Sequence, residues 1–166
     1  MDRVNEILFH PRYQQYYQEI QSLEKDRKFC GHTMEHFLAV ARLSFIMAQK
    51  KGVAIDEEVI YAAALLHDVG RSLEYRKSIP HHEGSVMIAQ ELLPECGFDD
   101  EETAEILRVI KGHRQRPEVK CQIASDEDDF ATIFYRADKL ARNCFECVVA
   151  DECNWSKEKK NKRIIL

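Results

Sequence analysis

His67 and Asp68 stand together at the end of the most apolar stretch of the chain, which runs from Val59 through Ala62-Ala63-Ala64-Leu65-Leu66. A carboxylate at that depth is costly unless it is paired or coordinates a cation. Asp138 repeats the anomaly between Ala137 and Leu140, on the inner face of another helical segment. His36 falls in the first turn of a third segment whose other inward positions are apolar. Two buried acids on separate helices, with imidazoles at comparable depth, are what a five- or six-coordinate metal site requires. That donor set suits Fe, Mn, Co, Ni or Zn. The plain alternative is a set of buried Asp–His hydrogen bonds.

These residues need helices to position them. From Thr33, the residues Phe37, Val40, Ala41, Ser44 and Ala48 form one stripe, broadened by Leu38, Phe45 and Met47, and Gly52 supplies a stop. Asp56 can cap the next helix, which is apolar nearly all round and so reads as the central, buried one. A loop containing Pro80 leads to a helix over about 83–93 that Pro94 helps to end, and Asp99 and Asp100 cap another that closes at Gly112-His113. Residues 114–128 read as a polar connection. The last helix starts near Asp129 and carries Phe130, Ile133, Phe134, Ala137, Leu140, Ala141 and Val148 on its inner face. The segment from Val4 to about Glu24 shows only weak helical periodicity, interrupted by Pro11. No segment alternates with period two, so the expected fold class is all-α.

The chain has 166 residues, 45% hydrophobic, which suits one core and excludes general disorder. With 6 Gly and 4 Pro it is poor in turn formers, against a β sandwich. The formal net charge of −5 disfavours general nucleic-acid binding, because phosphate neutralisation supplies most of that affinity. No run approaches the roughly 18 apolar residues that span a bilayer, and the polar Met1-Asp2-Arg3-Val4-Asn5-Glu6 lacks a signal-peptide core. The expected location is the cytoplasm, with reduced thiols and no membrane partner.

Three segments carry a resemblance. They are His36-Phe37-Leu38-Ala39-Val40-Ala41, Ala63-Ala64-Leu65-Leu66-His67-Asp68-Val69-Gly70-Arg71, and Arg136-Ala137-Asp138-Lys139-Leu140. In order and spacing the sequence resembles the HD domain superfamily of metal-dependent phosphohydrolases over about residues 30–145. The resemblance implies an all-α bundle in which His36, His67, Asp68 and Asp138 bind a first metal, with Asp68 bridging to a second. His81-His82-Glu83-Gly84-Ser85 and His113 fit the subset of the family that binds two metals. Counting back from Ser85 favours His81, with His82 as the competing choice. Ser85-Val86 departs from the Gly-Ala commoner there. The implied cofactors are one or two divalent ions: Fe, Mn, Co, Ni, Zn or Mg. His81 and His113 could instead contact substrate phosphate.

The implied reaction is hydrolysis of a phosphomonoester or phosphodiester, on a small, nucleotide-like substrate, with charge on the phosphoryl oxygens stabilised by nearby cations. Arg71 and Arg114 are the leading candidates because they directly follow ligand residues, ahead of Lys111, Arg116, Lys139 and Arg142. Glu83 or His82 could serve as general acid or base. Two other classes compete: an oxygenase, since some HD-fold proteins use the same four-His, two-Asp set for a di-iron centre, and a regulatory domain without turnover. The second normally lacks some of the core ligands, and here all four are present. A homodimer is left open.

The domain reading is a helical extension over 1–29, the HD domain over 30–145, and a Cys-containing, basic tail over 146–166. Six cysteines remain. Cys144 and Cys147 are spaced as one helical turn and, with Cys153 and Cys30, could supply soft donors for zinc or an iron–sulfur cluster. Unligated thiols are the simpler expectation for them, and for Cys96 and Cys121.

Overall fold

Five of the described helices begin at a side chain that accepts from their free N–H groups. In the computed structural model, which describes residues 1–113 and 129–165, eight helices follow one another: α1 (Asp2–Phe9), α2 (Pro11–Leu23), α3 (Met34–Lys51), α4 (Glu57–Leu66), α5 (Arg71–Lys77), α6 (His81–Glu95), α7 (Asp100–Gly112) and α8 (Phe130–Leu140). No strand occurs among the described residues. Thr33 caps α3, Asp56 caps α4, Asp129 caps α8, and Asp99 forms a reciprocal capping box with Glu102 on α7.

The apolar α4 is the centre: Val59, Ile60 and Ala62 through Leu66 are all buried. It packs on α3, α7, α1 and α6, while α3 also lies along α8 and α6 along α7. The expected α3 stripe of Phe37, Val40, Ala41, Ser44 and Ala48 is buried throughout. No helix among the described residues is long and apolar enough to cross a membrane.

One local expectation is filled in and three are corrected. The weakly periodic N-terminal segment forms two helices, because Pro11 opens α2 at a position where its missing N–H costs nothing. The expected loop after Gly70 contains α5, whose sequence RSLEYRK has no apolar periodicity to announce it. Helix α6 already starts at His81 and keeps Pro94 within its last turn. Finally, α8 stops at Leu140; Val148 lies in turns beyond it and is 99% exposed instead of on an inner face.

Candidate metal centre

Gly70 makes the site possible. The backbones of the α4–α5 junction and of α6 touch there: a Cβ on Gly70 would stand 2.1 Å from the His81 carbonyl oxygen and 2.2 Å from the Ser85 nitrogen. Ser85 pins this crossing, its hydroxyl donating to the His67 carbonyl at 2.8 Å and accepting from the Gly70 N–H at 2.9 Å. The closeness brings His67 and Asp68 within reach of His81.

Two buried groups of donor atoms result, each with members within 4.8 Å of one another: His36, His67, Asp68 and Asp138, and then Asp68, His81 and His113. Asp68 belongs to both. Its Oδ2 lies 3.1 Å from His67 Nε2, while its Oδ1 lies 3.4 Å from His81 Nε2 and 3.8 Å from His113 Nε2. Asp138 Oδ1 lies 3.3 Å from His36 Nε2 and 3.8 Å from His67 Nε2.

The rings are aimed by their far nitrogens. His67 Nδ1 donates to the Ala64 carbonyl at 2.8 Å and His113 Nδ1 to the Ile110 carbonyl at 2.5 Å, so each presents a bare Nε2 to the site. His81 Nδ1 meets Glu74 Oε1 at 3.2 Å. Both ring nitrogens of His36, Nε2 of His67 and Oδ1 of Asp68 are buried without a hydrogen-bond partner; the His36–Asp138 approach is close but not aligned for one. Buried orphans of this kind are rare, and imidazole nitrogens facing carboxylate oxygens are what a divalent cation needs. The residues present fit one or two such ions.

Burial lowers His36 to about 4, with Asp138 only partly opposing it, and lowers His81 to about 4 against the pull of Asp68. Both rings are therefore neutral, with lone pairs free, at ordinary pH. Burial also opposes charge on Asp68 and Asp138. The imidazoles of His67, His113 and His32 around Asp68, and His36 and Lys139 around Asp138, outweigh it and hold both carboxyls well below their usual value. His67, fully buried, is disfavoured as a cation by that burial but raised by the two carboxylates beside it.

A cavity of about 120 Å³ opens over these atoms, and its walls include Arg71, Lys139, Arg142 and Trp155. Arg71 Nε stands 3.4 Å from Asp68 Oδ1 without a hydrogen bond, and Lys139 Nζ contacts Asp138 Oδ2. Of the residues expected near the chemistry, Glu83 is exposed, and neither it nor His82 lines this cavity. The helical offset explains it: Gly84, Ser85 and Ile88 are the buried face of α6, and His81 shares that face while its two neighbours do not. The structure thus does not bring Glu83 and His82 to the donor atoms. Lys111 is exposed. Arg114 and Arg116 lie outside the described residues.

His32 stands two residues before α3. It is buried, with Nε2 at 3.5 Å from Asp68 Oδ2 and Nδ1 at 2.6 Å from Glu24 Oε1. Glu24 was missed altogether. Burial would raise its carboxyl, but His32 and Tyr75 hold it at about 2.

An all-helical bundle with a buried His/Asp donor set defines a fold with a candidate metal site between its helices. A family model of the HD domain matches residues 33–143, and the chain belongs to that family. An uncharacterized protein of Clostridium beijerinckii is 41% identical over 164 residues, spanning 99% of each chain. Ribonuclease Y of Rubrobacter xylanophilus is 30% identical over 95 residues, which is 57% of this chain but 16% of that protein. The fold is also similar to the crystal structure of a predicted HD superfamily hydrolase from an uncultured Thermotogales bacterium, with a TM-score of 0.60 and 24% identity over 92% of this chain and 83% of that one. Family membership and the buried donor set together support a metal-dependent hydrolase.

Proposed function

We propose that the protein is a divalent-metal-dependent phosphohydrolase acting on a phosphomonoester or phosphodiester of a small, nucleotide-like molecule. The observation that carries this is the pairing of two donor groups through Asp68 beneath a cavity walled by Arg71, Lys139 and Arg142. Metal ions bound there would supply Lewis-acid polarisation of a phosphoryl oxygen and water acidic enough to attack phosphorus near neutral pH.

The chain's own residues do the rest. His36, His67 and Asp138 would hold one ion and His81 and His113 a second, with Asp68 a member of both donor groups. The three cations at the rim bind and orient the phosphoryl oxygens and offset charge that builds on them. Arg71 is fixed for this task by Glu74, whose Oε2 accepts from it at 2.5 Å. Trp155 lines one side of the cavity.

A larger groove of about 650 Å³ shares Lys139 and Trp155 with the cavity, and Tyr135, Lys159 and Lys160 also line it. Aromatic faces beside lysines suit a base and its phosphates, which supports the nucleotide-like reading. The related ribonuclease, named for phosphodiester hydrolysis, points the same way.

The metal-loaded protein should hydrolyse at least one member of a panel of phosphomonoesters, phosphodiesters and nucleotides, and Asp68→Ala should abolish that turnover. Turnover unaltered in Asp68→Ala would refute the assignment. Oxygen uptake by iron-loaded protein, without phosphate release, would favour the oxygenase.

A further inference from the structure

Residues 141–165 run on from α8 as turns and bends without a helix or strand, and Cys144 is their one buried residue. Apolar burial alone gives such a segment little reason to hold one conformation. It is nevertheless tied to the loop before α3. Arg142 donates to the Gly31 carbonyl at 2.8 Å, and Lys28 pairs with Glu152. Arg27, from the same loop, donates to the Cys30 carbonyl at 2.9 Å.

These ties bring together four thiols from opposite ends of the chain. Cys30, Cys144, Cys147 and Cys153 line one cavity of about 20 Å³, closed by Phe29 and Trp155, and all four are free. They are close enough to act on one another: burial raises the Cys30 thiol, Arg142 opposes that, and the other three thiols raise it further. Inert structural thiols are normally buried as small apolar groups. Here only Cys144 is buried, Cys147 and Cys153 are half-buried, and Cys30 is exposed. The four converge where the segment has no other core.

We propose that Cys30, Cys144, Cys147 and Cys153 form a second metal centre of soft, thiolate chemistry, which staples the C-terminal segment to the loop before α3. Each thiol gives up its proton on binding, and the binding energy becomes folding energy for the segment. Zinc and an iron–sulfur cluster share this ligand chemistry. Among the described residues, no three of the sulfurs lie within 4.8 Å of one another. Four sulfurs at about 2.3 Å from a single zinc would lie closer than that. Zinc would have to draw the sulfurs inward, whereas in a four-iron cluster each thiolate would hold its own iron.

The centre is separate from the His/Asp site but not idle with respect to it. Arg142 and Trp155 flank the stretch that carries Cys144, Cys147 and Cys153, and both also line the cavity over Asp68. The staple sets the position of both, whatever reaction the His/Asp site performs.

The test uses the full chain purified anaerobically without chelators. A cluster would show sulfur-to-iron absorption and acid-labile sulfide. Zinc would be released in step with mercurial titration of the thiols, and cobalt replacing it would show thiolate-to-cobalt absorption. Either signature should be lost in Cys147→Ser and in Cys153→Ser, with helical content checked by circular dichroism. Either should persist in Asp68→Ala, which separates this centre from the His/Asp metals, and in Cys96→Ser, whose thiol lies in the main core. The proposal is overturned if wild-type thiols titrate freely with no metal release and no such absorption appears on reconstitution. It is equally overturned if mass spectrometry of protein kept reduced finds disulfides among the four, or if the serine variants fold and keep the signature.

Discussion

Asp68 belongs to both donor groups because its two oxygens face different neighbours, Oδ2 toward His67 and Oδ1 toward His81 and His113. Removing its charge therefore touches both donor groups at once. Asp68→Asn should lower metal retained after dialysis to less than about a tenth, whereas His113→Ala should lose only the second ion, as read by elemental analysis. Glu74 never enters the donor set, yet it orients both His81 and Arg71. Glu74→Gln should weaken binding of the second metal by roughly 10–100-fold, the usual cost of losing a partner that aims a ligand. Calorimetric titration with Mn²⁺ checks this, and unchanged affinity would show that the contact is incidental. The sequence exposed His36, His67, Asp68 and Asp138 because each is polar on an otherwise apolar face. Glu24 carried no such mark: it sits at the end of a mostly polar helix, and only the fold turns it under His32.

Among the elements, the contact of α6 with the α4–α5 junction decides the geometry. Any side chain at Gly70 collides with backbone, which cannot step aside as a flexible side chain could. Gly70→Ala should cost more than about 3 kcal/mol or prevent folding, beyond the ordinary cost of overpacking. Ser85→Ala removes the pin without the collision and leaves a buried N–H unpaired, at about 1–3 kcal/mol. Chemical denaturation measures both. Helix α1 is held differently. Arg3 donates to Glu58 at 2.7 Å and to Glu102 at 2.6 Å, and it lies 4.4 Å from the centroid of the Phe98 ring. The Arg3 hydrogen bond, against some burial, holds the Glu58 carboxyl at about 2. A depressed carboxyl contributes stability that is present above its ordinary value of about 4.5 and is lost as pH falls toward 2. Glu58→Gln should be less stable than wild type by about 1–2 kcal/mol at neutral pH, allowing for solvent screening. The gap should close between pH 4.5 and 2, as followed by thermal melts. Helices α3 and α4 were legible because their apolar faces are long. Helix α5 was not, because its seven residues are mostly polar and its start is set by Gly70 accepting from the Leu73 and Glu74 N–H groups.

Across the whole molecule, charge is sorted rather than averaged. The net charge is −5, yet Arg71, Lys139 and Arg142 meet over the buried carboxylates. Phosphate binding at that rim should weaken as salt rises from about 0.01 M to 0.15 M, since the Debye length shrinks from about 30 Å to 8 Å; inorganic phosphate titrations at the two salts measure this. The all-α class and the HD resemblance were readable from motif order, which long helices preserve. The convergence of Cys30 with Cys144, Cys147 and Cys153 was open only as a conjecture, because it depends on a segment without periodicity. Trp155 is the chain's single tryptophan, and it borders the His/Asp cavity, the groove beside it and the thiol cavity. Its emission is therefore an optical signal free of interference from any other indole. Open-shell ions such as cobalt or iron quench a neighbouring indole where zinc does not, so one fluorophore native to the chain can follow the filling of both centres in real time.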